Sequence, residues 1–459
     1  MSTLSLHGPF FALLCLVTVD CGDGKRHVAE TENEALIQVS RFVSNASQSW
    51  RSTQDLASVS LSQRMEVYTD EIDFELQFLS AVPVFTDQDN YIALIHNNTA
   101  ALQKYVQNHS FFCTGPNGSH RTQLRLSASL RAELSIFACD WPKEDAMTGE
   151  YDVFLELPNG EIIGQVHANY KPSLLKQYGT MACVRNLWND PGANVSGLES
   201  FPQWLDYHRM HGVHHFIIYT TSDMSPALQE MYQPYIDEGV VTRVHLDVPA
   251  ERCWCYTCVQ QLLILNDCLY RAKGHARWLL PSLDVDEYLR VNLPAEDVTR
   301  LMDGRSEGRR PVASIFFKKF RFARAPPGSL DISSPRYSNI PEDNAYKYAA
   351  NVSLVNVVSV HHHQPVKGLG KILYESPTVA AVNHYRHPHL IETQTFAFAN
   401  SSDNSLLAKV PLLEASLEKR YGAGWKGFLE RMRAAPELTN WSCSAYSLSA
   451  NGPPVWENE

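Results

Sequence analysis

Basic side chains are in short supply in this sequence. Its 459 residues include 39 Lys and Arg against 50 Asp and Glu, a formal net charge of −11. Proteins that bind nucleic acid collect Lys and Arg on one surface, so this balance argues against a nucleic-acid partner. An anionic substrate would have to be met locally, and a divalent cation held by acidic side chains is one way to do so.

Long apolar runs are scarce as well. The run Pro9–Val19 is shorter than the roughly 20 residues of a membrane-spanning helix, and no Lys or Arg precedes it. Residues 1–21 are therefore predicted to be a signal peptide or a short signal anchor, and both readings stay open. Either one sends the chain into the secretory pathway. A cleaved signal would give a secreted or Golgi-lumenal protein, and an uncleaved one would attach it to the membrane.

Eight Asn-x-Ser/Thr sequons agree with a luminal address. They are Asn45, Asn97, Asn108, Asn117, Asn194, Asn351, Asn400 and Asn440. Ten cysteines suit an oxidising compartment. Cys113 and Cys139 lie in one short β-like region and are predicted to form a disulfide. The Cys255-x-x-Cys258 pair has no second pair at zinc-ribbon spacing, so a disulfide is favoured there over zinc.

The length of the chain predicts two folded modules behind a processing segment. Residues 22–63 are polar and are predicted to form a stem. Residues 64–175 contain short β-like runs, and the Asn-Gly turn of Pro158–Gly160 predicts a hairpin, which indicates a smaller β-rich accessory module. Residues 176–445 are assigned to a catalytic domain and residues 446–459 to a C-terminal tail.

Strand and helix patterns alternate after residue 180, which predicts the α/β class with a parallel sheet and crossover helices. The predicted strands are Met181–Leu187, Val213–Tyr219, Val240–His245 and Arg277–Leu283, and the predicted helices are Phe201–His211, Pro226–Glu238 and Val259–Lys273. Gly212 and Gly274 are predicted to end two of these helices. In such sheets ligands bind at the carboxyl ends of the strands.

An Asp-x-Asp motif follows the last of these strands. If the chain stays extended there, Asp284 and Asp286 project to the same side and both reach one hard cation. Mn²⁺ or Mg²⁺ held in this way would keep open positions for the oxygens of a nucleotide diphosphate. An isolated Asp-x-Asp is common in surface loops, and the preceding hydrophobic strand is what favours a metal site here.

Four motifs resemble glycosyltransferase family 92, which includes galactosyltransferases of animals and pectic galactan synthases of plants. They are Trp204-Leu205-Asp206-Tyr207-His208, Gly212-Val213-His214-His215-Phe216, Asn266-Asp267-Cys268-Leu269-Tyr270-Arg271 and Leu283-Asp284-Val285-Asp286-Glu287-Tyr288-Leu289. The resemblance covers roughly Thr180 to His389. It implies a GT-A-type, Rossmann-like mixed sheet with flanking helices, a UDP-sugar donor, Mn²⁺ dependence and inversion at the anomeric carbon. The expected reaction is transfer of a hexose, galactose in particular, to a glycan acceptor.

The resemblance also implies roles for single residues. Asp284 and Asp286 match the family's metal motif, and Asp284 would thereby also meet the donor. His384, in Val382-Asn383-His384, would be a third metal ligand, although a lone His is often structural. Lys371, in Lys371-Ile372-Leu373, would contact a donor phosphate, with a solvated surface Lys as the alternative.

Other assignments rest on weaker signals. Arg185, just inside the first predicted strand, is a candidate donor-site residue or a surface ion-pair partner. The catalytic base carries no motif, and Glu342 and Asp343 in the loop-like stretch Ser338–Asn344 are candidates for it. Consecutive His at 361–363 diverge in regular structure and are interpreted as a polar segment.

The sequence departs from the family pattern at one further place, and two other functions are considered. Thr220-Thr221 stands where the family usually has an Asp. A non-catalytic lectin-like or scaffold protein that retains the fold is the alternative function. A phosphatase using the first Asp as nucleophile is disfavoured because Tyr288 occupies the place where such sites usually have Thr or Val.

Overall fold

The computed structural model describes residues that lie within Thr53–Glu459. The described residues are 59–61, 63–64, 77–85, 90–97, 110–115, 118–130, 134–142, 150–169, 177–184, 189–190, 195–221, 226–246, 259–292, 297–308, 310–323, 325, 329–334, 336–361, 363–365, 369–386, 401–402 and 404–434. The predicted signal, most of the stem, the tail and the Cys255-x-x-Cys258 pair lie outside them. No described helix is long and apolar enough to cross a membrane.

Ten of the described strands precede the described α-helices. They are β1 Val59–Leu61, β2 Gln63–Arg64, β3 Gln77–Phe85, β4 Asn90–Asn97, β5 Phe112–Thr114, β6 Arg121–Gln123, β7 Arg125–Leu130, β8 Leu134–Asp140, β9 Glu150–Glu156 and β10 Ile162–Asn169. Nine of them form two antiparallel sheets, in the orders β2-β3-β4-β8-β7 and β10-β9-β5-β6. The predicted hairpin is confirmed, because β9 and β10 pair antiparallel around Gly160, whose φ is +90°.

The predicted disulfide is also confirmed. Cys113 of β5 and Cys139 of β8 are bonded, with their Cα atoms 5.8 Å apart, and so join the two antiparallel sheets. Both cysteines are fully buried among apolar side chains from the two sheets, including Phe137 and Val153. The bridge and this shared core hold the two sheets together. The division into modules at residues 64–175 and 176–445 stays a prediction.

The remaining elements form an α/β arrangement around one large mixed sheet. The strands are β11 Tyr178–Val184, β12 Asn189–Asp190, β13 Val195–Ser196, β14 His215–Thr221, β15 Val241–Leu246, β16 Ala276–Leu280, β17 Glu287–Val291, β18 Val312–Ala323, β19 Arg336–Asn351, β20 Val355–Val358, β21 His363–Pro365, β22 Lys371–Tyr374, β23 Ala380–Arg386 and β24 Ser401–Ser402. The helices are α1 Gly197–Met210, α2 Pro226–Asp237, α3 Val259–Ala272, α4 Val298–Ser306, α5 Val410–Tyr421 and α6 Trp425–Ala434.

The large sheet has eleven strands, nine of them in the order β1-β15-β14-β11-β16-β19-β18-β23-β17. Strands β15, β14, β11 and β16 are mutually parallel, whereas β19 runs antiparallel to β16. Along the chain the sheet grows from β11 through β14 to β15 and then returns to the other side of β11 with β16. This reversal makes the carboxyl ends of β11 and β16 a topological switch point, where open α/β sheets bind ligands.

The helices form where the sequence predicted them. In α1 the predicted apolar face is confirmed, because Phe201, Trp204, Leu205 and His208 are all buried. Gly212 and Gly274 follow their helices with φ of +88° and +79°, a conformation that favours glycine. Strand β16 ends at Leu280, three residues before the predicted end, because Pro281 has no N–H with which to continue the ladder.

One prediction about local structure was wrong. The stretch Ser338–Asn344 is not a loop but part of the sixteen-residue strand β19. The polar sequence of this stretch is typical of a loop, but pairing with β18 makes it part of a strand. Two register shifts in this pairing accommodate the irregular residues. Strand formation here depends on a neighbour that is distant in sequence, which local composition does not report.

Candidate active site

The Asp-x-Asp motif lies at the topological switch point. Asp284 follows the end of β16 by four residues, and β17 begins directly after Asp286. Both aspartates are partly exposed, with 30% and 31% of their side-chain surface accessible. The two carboxylates are therefore open to a ligand at the end of the sheet where one is expected.

The chain does not stay extended through the motif, contrary to the premise of the sequence argument. Asp284 and Glu287 close a turn, in which the Glu287 N–H donates to the Asp284 carbonyl at 2.9 Å and the Asp284 N–H donates to Glu287 Oε2 at 3.0 Å. A turn rotates successive side chains apart, so the two aspartates reach different partners. We call residues 284–287 the acidic turn.

Asp286 faces His384 across the sheet. Glu287 and His384 are register partners in β17 and β23, and Asp286 Oδ2 lies 3.3 Å from His384 Nε2. The imidazole is buried, whereas the carboxylate is partly exposed. The pairing of two strands thus brings together two groups that the sequence separates by 98 positions.

The distance between these two groups is compatible with a shared cation. Two ligand atoms about 2.1 Å from one ion and at a right angle to each other lie about 3 Å apart. Within the described residues, however, no group of three or more His, Cys, Asp and Glu side chains is placed to hold a metal ion. Asp286 and His384 would supply two ligands to such an ion, and substrate phosphates and water would supply the others, as is common for Mg²⁺.

Two buried lysines form ion pairs with carboxylates of the acidic turn. Lys347 of β19 lies 3.1 Å from Asp284 Oδ2 and 2.9 Å from Glu287 Oε2, and Lys319 of β18 lies 3.2 Å from Glu287 Oε1. Sequence reasoning missed both residues. A Lys within a run of apolar or aromatic residues of a strand could have indicated them. Such a Lys is expected to be buried, and a buried ammonium requires a partner.

Glu287 is the centre of this network and is fully buried. Burial by itself raises the pKa of its carboxyl, but the ammonium groups of Lys347 and Lys319 outweigh burial and hold that pKa below its ordinary value. Glu287 is therefore ionised at neutral pH. Its two oxygens are engaged by the lysines and by the N–H of Asp284.

Helix α1 covers β17, which ends the order of strands in the described part of the large sheet. Trp204 Nε1 donates to the Glu287 carbonyl at 2.8 Å, and His208 Nε2 accepts from the Leu289 N–H at 3.2 Å. Burial lowers the pKa of His208 to about 3, so its ring is neutral and accepts this bond. The motif Trp204–His208 thus fixes the strand that begins with Glu287.

The motif Asn266–Arg271 is a structural clamp on α3. The Asn266 amide pairs with the backbone of Val358 in both directions, donating at 2.8 Å and accepting at 2.9 Å. Cys268 is bonded to Cys183 of β11. Asp267 accepts from Arg271 Nε at 2.6 Å and from the Tyr219 hydroxyl of β14. This helix therefore ties β11 and β14 of the large sheet to β20.

One further predicted site residue, Lys371, is not brought to the acidic turn. Lys371 is exposed at the start of β22 and pairs with Val312, seven residues before Lys319 on β18, which is about 23 Å along a strand. Arg185 directly follows Val184 and lies outside the described residues. Glu342 and Asp343 have described backbones in β19, five and four residues before Lys347, but their side chains lie outside the described part.

Two of the three consecutive histidines are anchored by separate partners. His361 Nδ1 lies 3.0 Å from the Tyr346 carbonyl, and His363 Nε2 lies 2.9 Å from Ser314 Oγ. Their different partners agree with the interpretation of a polar segment. His362 lies outside the described residues.

Comparison with known proteins identifies the family of the chain. The sequence model of glycosyltransferase family 92 matches residues 181–444. Three galactan beta-1,4-galactosyltransferases of Arabidopsis thaliana are similar to shorter parts. GALS1 is 29% identical over 115 residues, which are 25% of this chain and 22% of that protein, and GALS2 is 27% identical over 147 residues, or 32% and 26%. GALS3 is 30% identical over 134 residues, or 29% of this chain and 25% of that protein.

The matched segments span about a quarter of the length of these relatives. The family match itself covers more than half of the chain, including most of β11, the clamp on α3, the acidic turn and His384. It confirms the resemblance noted from the sequence: the chain belongs to glycosyltransferase family 92.

Proposed function

We propose that this protein transfers a hexose, specifically galactose, from a UDP-sugar to a glycan acceptor. The observation that carries the proposal is the acidic turn at the carboxyl end of β16, with Asp286 3.3 Å from His384 in a chain of this family. The galactosyl specificity rests on the printed activity of the three Arabidopsis relatives. The fold we propose is the GT-A type, supported by the parallel order β15-β14-β11-β16 and its switch point.

We assign a metal-binding role to Asp284, Asp286 and His384, with Mn²⁺ or Mg²⁺ as the ion. Such an ion, when bound, neutralises the charge that develops on the departing diphosphate. Asp286 and the neutral imidazole of His384 would bind it directly, and Asp284 would approach it from the other end of the turn. Glu287 is committed to Lys319 and Lys347 and holds the shape of the turn.

Inverting transfer is the stereochemistry we propose, on the strength of the family. It needs a carboxylate that accepts the proton of the acceptor hydroxyl as that oxygen attacks the anomeric carbon from the face opposite the diphosphate. Glu342 and Asp343 remain the candidates for this base. Arg185 remains a candidate for the donor site because it directly follows β11 at the switch point, whereas the position of Lys371 does not favour a phosphate contact.

The proposed location is the secretory pathway, in the Golgi lumen or at its membrane, or outside the cell if the signal is cleaved. The eight sequons and the apolar run Pro9–Val19 support this location. Membrane association would depend on residues 1–21 remaining attached.

Donor hydrolysis and transfer assays test the proposed function. Purified protein is incubated with UDP-galactose, UDP-glucose or UDP-N-acetylhexosamines, with Mn²⁺ or with EDTA, and β-1,4-galactan oligosaccharides serve as acceptors because the relatives are named for that product. We expect UDP release that is fastest with UDP-galactose and is lost in EDTA. Glycan binding without turnover of any of these donors would instead support the lectin-like alternative.

A further inference from the structure

Lys347 makes a contact that the proposed function leaves unexplained. Its Nζ lies 3.1 Å from Asp284 Oδ2, 2.9 Å from Glu287 Oε2 and 2.6 Å from the Ser282 carbonyl oxygen. Only 2% of its side-chain surface is accessible. An ammonium has three N–H donors, and each of these three atoms can accept from one of them.

The contact with Asp284 opposes metal binding. A carboxylate paired with an ammonium attracts a second cation less strongly, because the ammonium repels that cation at short range. The same ammonium is needed by Glu287, which would otherwise be a buried carboxylate with fewer partners. Lys347 thus serves the fold through Glu287 and restrains the metal site through Asp284.

We infer that Lys347 is an internal counter-ion of the acidic turn, which lowers its affinity for a free divalent cation and then binds the diphosphate of the donor. This inference rests on the proposed function. If a cation bound Asp284, the buried Lys347 ammonium would lose one of its acceptors. That loss would be unfavourable until another acceptor replaced it. A phosphate oxygen of the donor is an acceptor of the right charge, and lysine is a common phosphate ligand.

The charges of the site favour binding of the cation before binding of the diphosphate. Asp284, Asp286 and Glu287 bring three carboxylates to the site, and Lys319 and Lys347 bring two ammonium groups, so carboxylates outnumber ammonium groups by one. A bound divalent cation would add two positive charges and so favour the diphosphate. The phosphate contact that the sequence assigned to Lys371 would then belong to Lys347.

Two binding measurements on Lys347→Met test the inference. Mn²⁺ binding without donor is followed by electron paramagnetic resonance, and UDP-galactose binding at saturating Mn²⁺ by calorimetry. A charge within about 4–6 Å shifts the ionisation equilibrium of a carboxylate by about 10- to 1000-fold. We therefore expect Mn²⁺ to bind at least about tenfold more tightly to the variant, and UDP-galactose at least about tenfold more weakly.

The opposite signs of these two effects separate the inference from a structural role. If Lys347 only supports the fold, both affinities fall together, and that result overturns the inference. Unchanged Mn²⁺ affinity, or unchanged donor affinity, overturns it as well. Lys319→Met is the matched control, because Lys319 is also buried and contacts the other oxygen of Glu287. We expect it to lower the unfolding midpoint with smaller changes in both affinities.

A second variant guards against failure to fold. Lys347→Gln removes the charge but keeps an N–H donor for the Ser282 carbonyl oxygen. We expect this variant also to bind Mn²⁺ more tightly and UDP-galactose more weakly than the wild type. Failure of the proposed function is recognised separately, because in that case the wild-type protein itself binds neither Mn²⁺ nor UDP-galactose. If the wild type binds both and the variants lose both, the inference alone is wrong.

Discussion

Asp286 is the single residue on which the proposed chemistry depends most. Asp286→Asn is nearly isosteric but removes the negative charge beside His384. We expect transfer to fall by at least about 10²-fold, because each 1.36 kcal/mol of lost leaving-group stabilisation is a tenfold loss in rate. The measurement is the Mn²⁺-dependent rate of transfer.

Asp237→Asn, an exposed change on α2, is the control for this substitution. Both variants should keep the wild-type unfolding midpoint, which separates a damaged site from a damaged core. Near-normal transfer by Asp286→Asn, with an unchanged midpoint, would remove Asp286 from the metal site.

His208 predicts a pH dependence of stability. Burial lowers its pKa from 6.5 to about 3, so between these values the unfolded chain carries a proton on this ring that the native state does not. Stability is therefore lost as pH falls below 6.5, by about 1.4 kcal/mol per pH unit from this residue. The free energy of unfolding in urea at pH 7, 6 and 5 measures it. His208→Gln does not titrate there, and equal slopes for the two proteins would contradict the prediction.

At the scale of elements, α3 shows how a family motif holds neighbouring strands in place. Its Asn266 amide bonds both backbone groups of Val358 in β20, and its Cys268 is bonded to β11. These contacts fix α3 against β20 and against the large sheet. Asp267 and Arg271 form an ion pair within α3, and Asp267 also accepts a hydrogen bond from the Tyr219 hydroxyl. The motif therefore positions the sheet ends that surround the acidic turn.

Asn266→Ala should destabilise the protein without altering the acidic turn itself. The change leaves the buried N–H and carbonyl of Val358 without their partner, at a cost of about 1–3 kcal/mol for each group. We expect a lower unfolding midpoint and an unchanged Mn²⁺ affinity. Gln233→Ala, which removes an exposed hydrogen bond on α2, is the control and should have little effect. A changed Mn²⁺ affinity with full stability would assign Asn266 to the site.

At the scale of the whole molecule, two disulfides and the sequons point to one compartment. Cys113–Cys139 and Cys183–Cys268 close loops of 26 and 85 residues, which stabilise by about 3.5 and about 4.5 kcal/mol in the chain-entropy description. Such bonds persist in oxidising compartments. Protein made by secretory expression should shift in mass after treatment with an N-glycan-cleaving enzyme, and peptide mapping without reduction should recover both bonds. An unglycosylated, reduced product would contradict the proposed location.

The sequence by itself predicted the main helices and identified the Asp-x-Asp motif as the candidate site. Apolar periodicity placed α1, α2 and α3 within a few residues, because helix formation depends on contacts close in sequence. The motif around Asp284 and Asp286 and the position of His384 also came from local runs of residues. The Cys113–Cys139 bond followed from shared location in one β region.

Only the tertiary structure decided what these residues touch. The loop assigned to Ser338–Asn344 became part of β19 because β18 pairs with it, and the same pairing carries Lys347 to Asp284 and Glu287. Strand neighbours and buried ion pairs join residues that are distant in the chain, so no local pattern reports them. Whether the motif stayed extended was likewise decided by the buried Glu287 carboxylate, which accepts the Asp284 N–H and is itself held by two lysines.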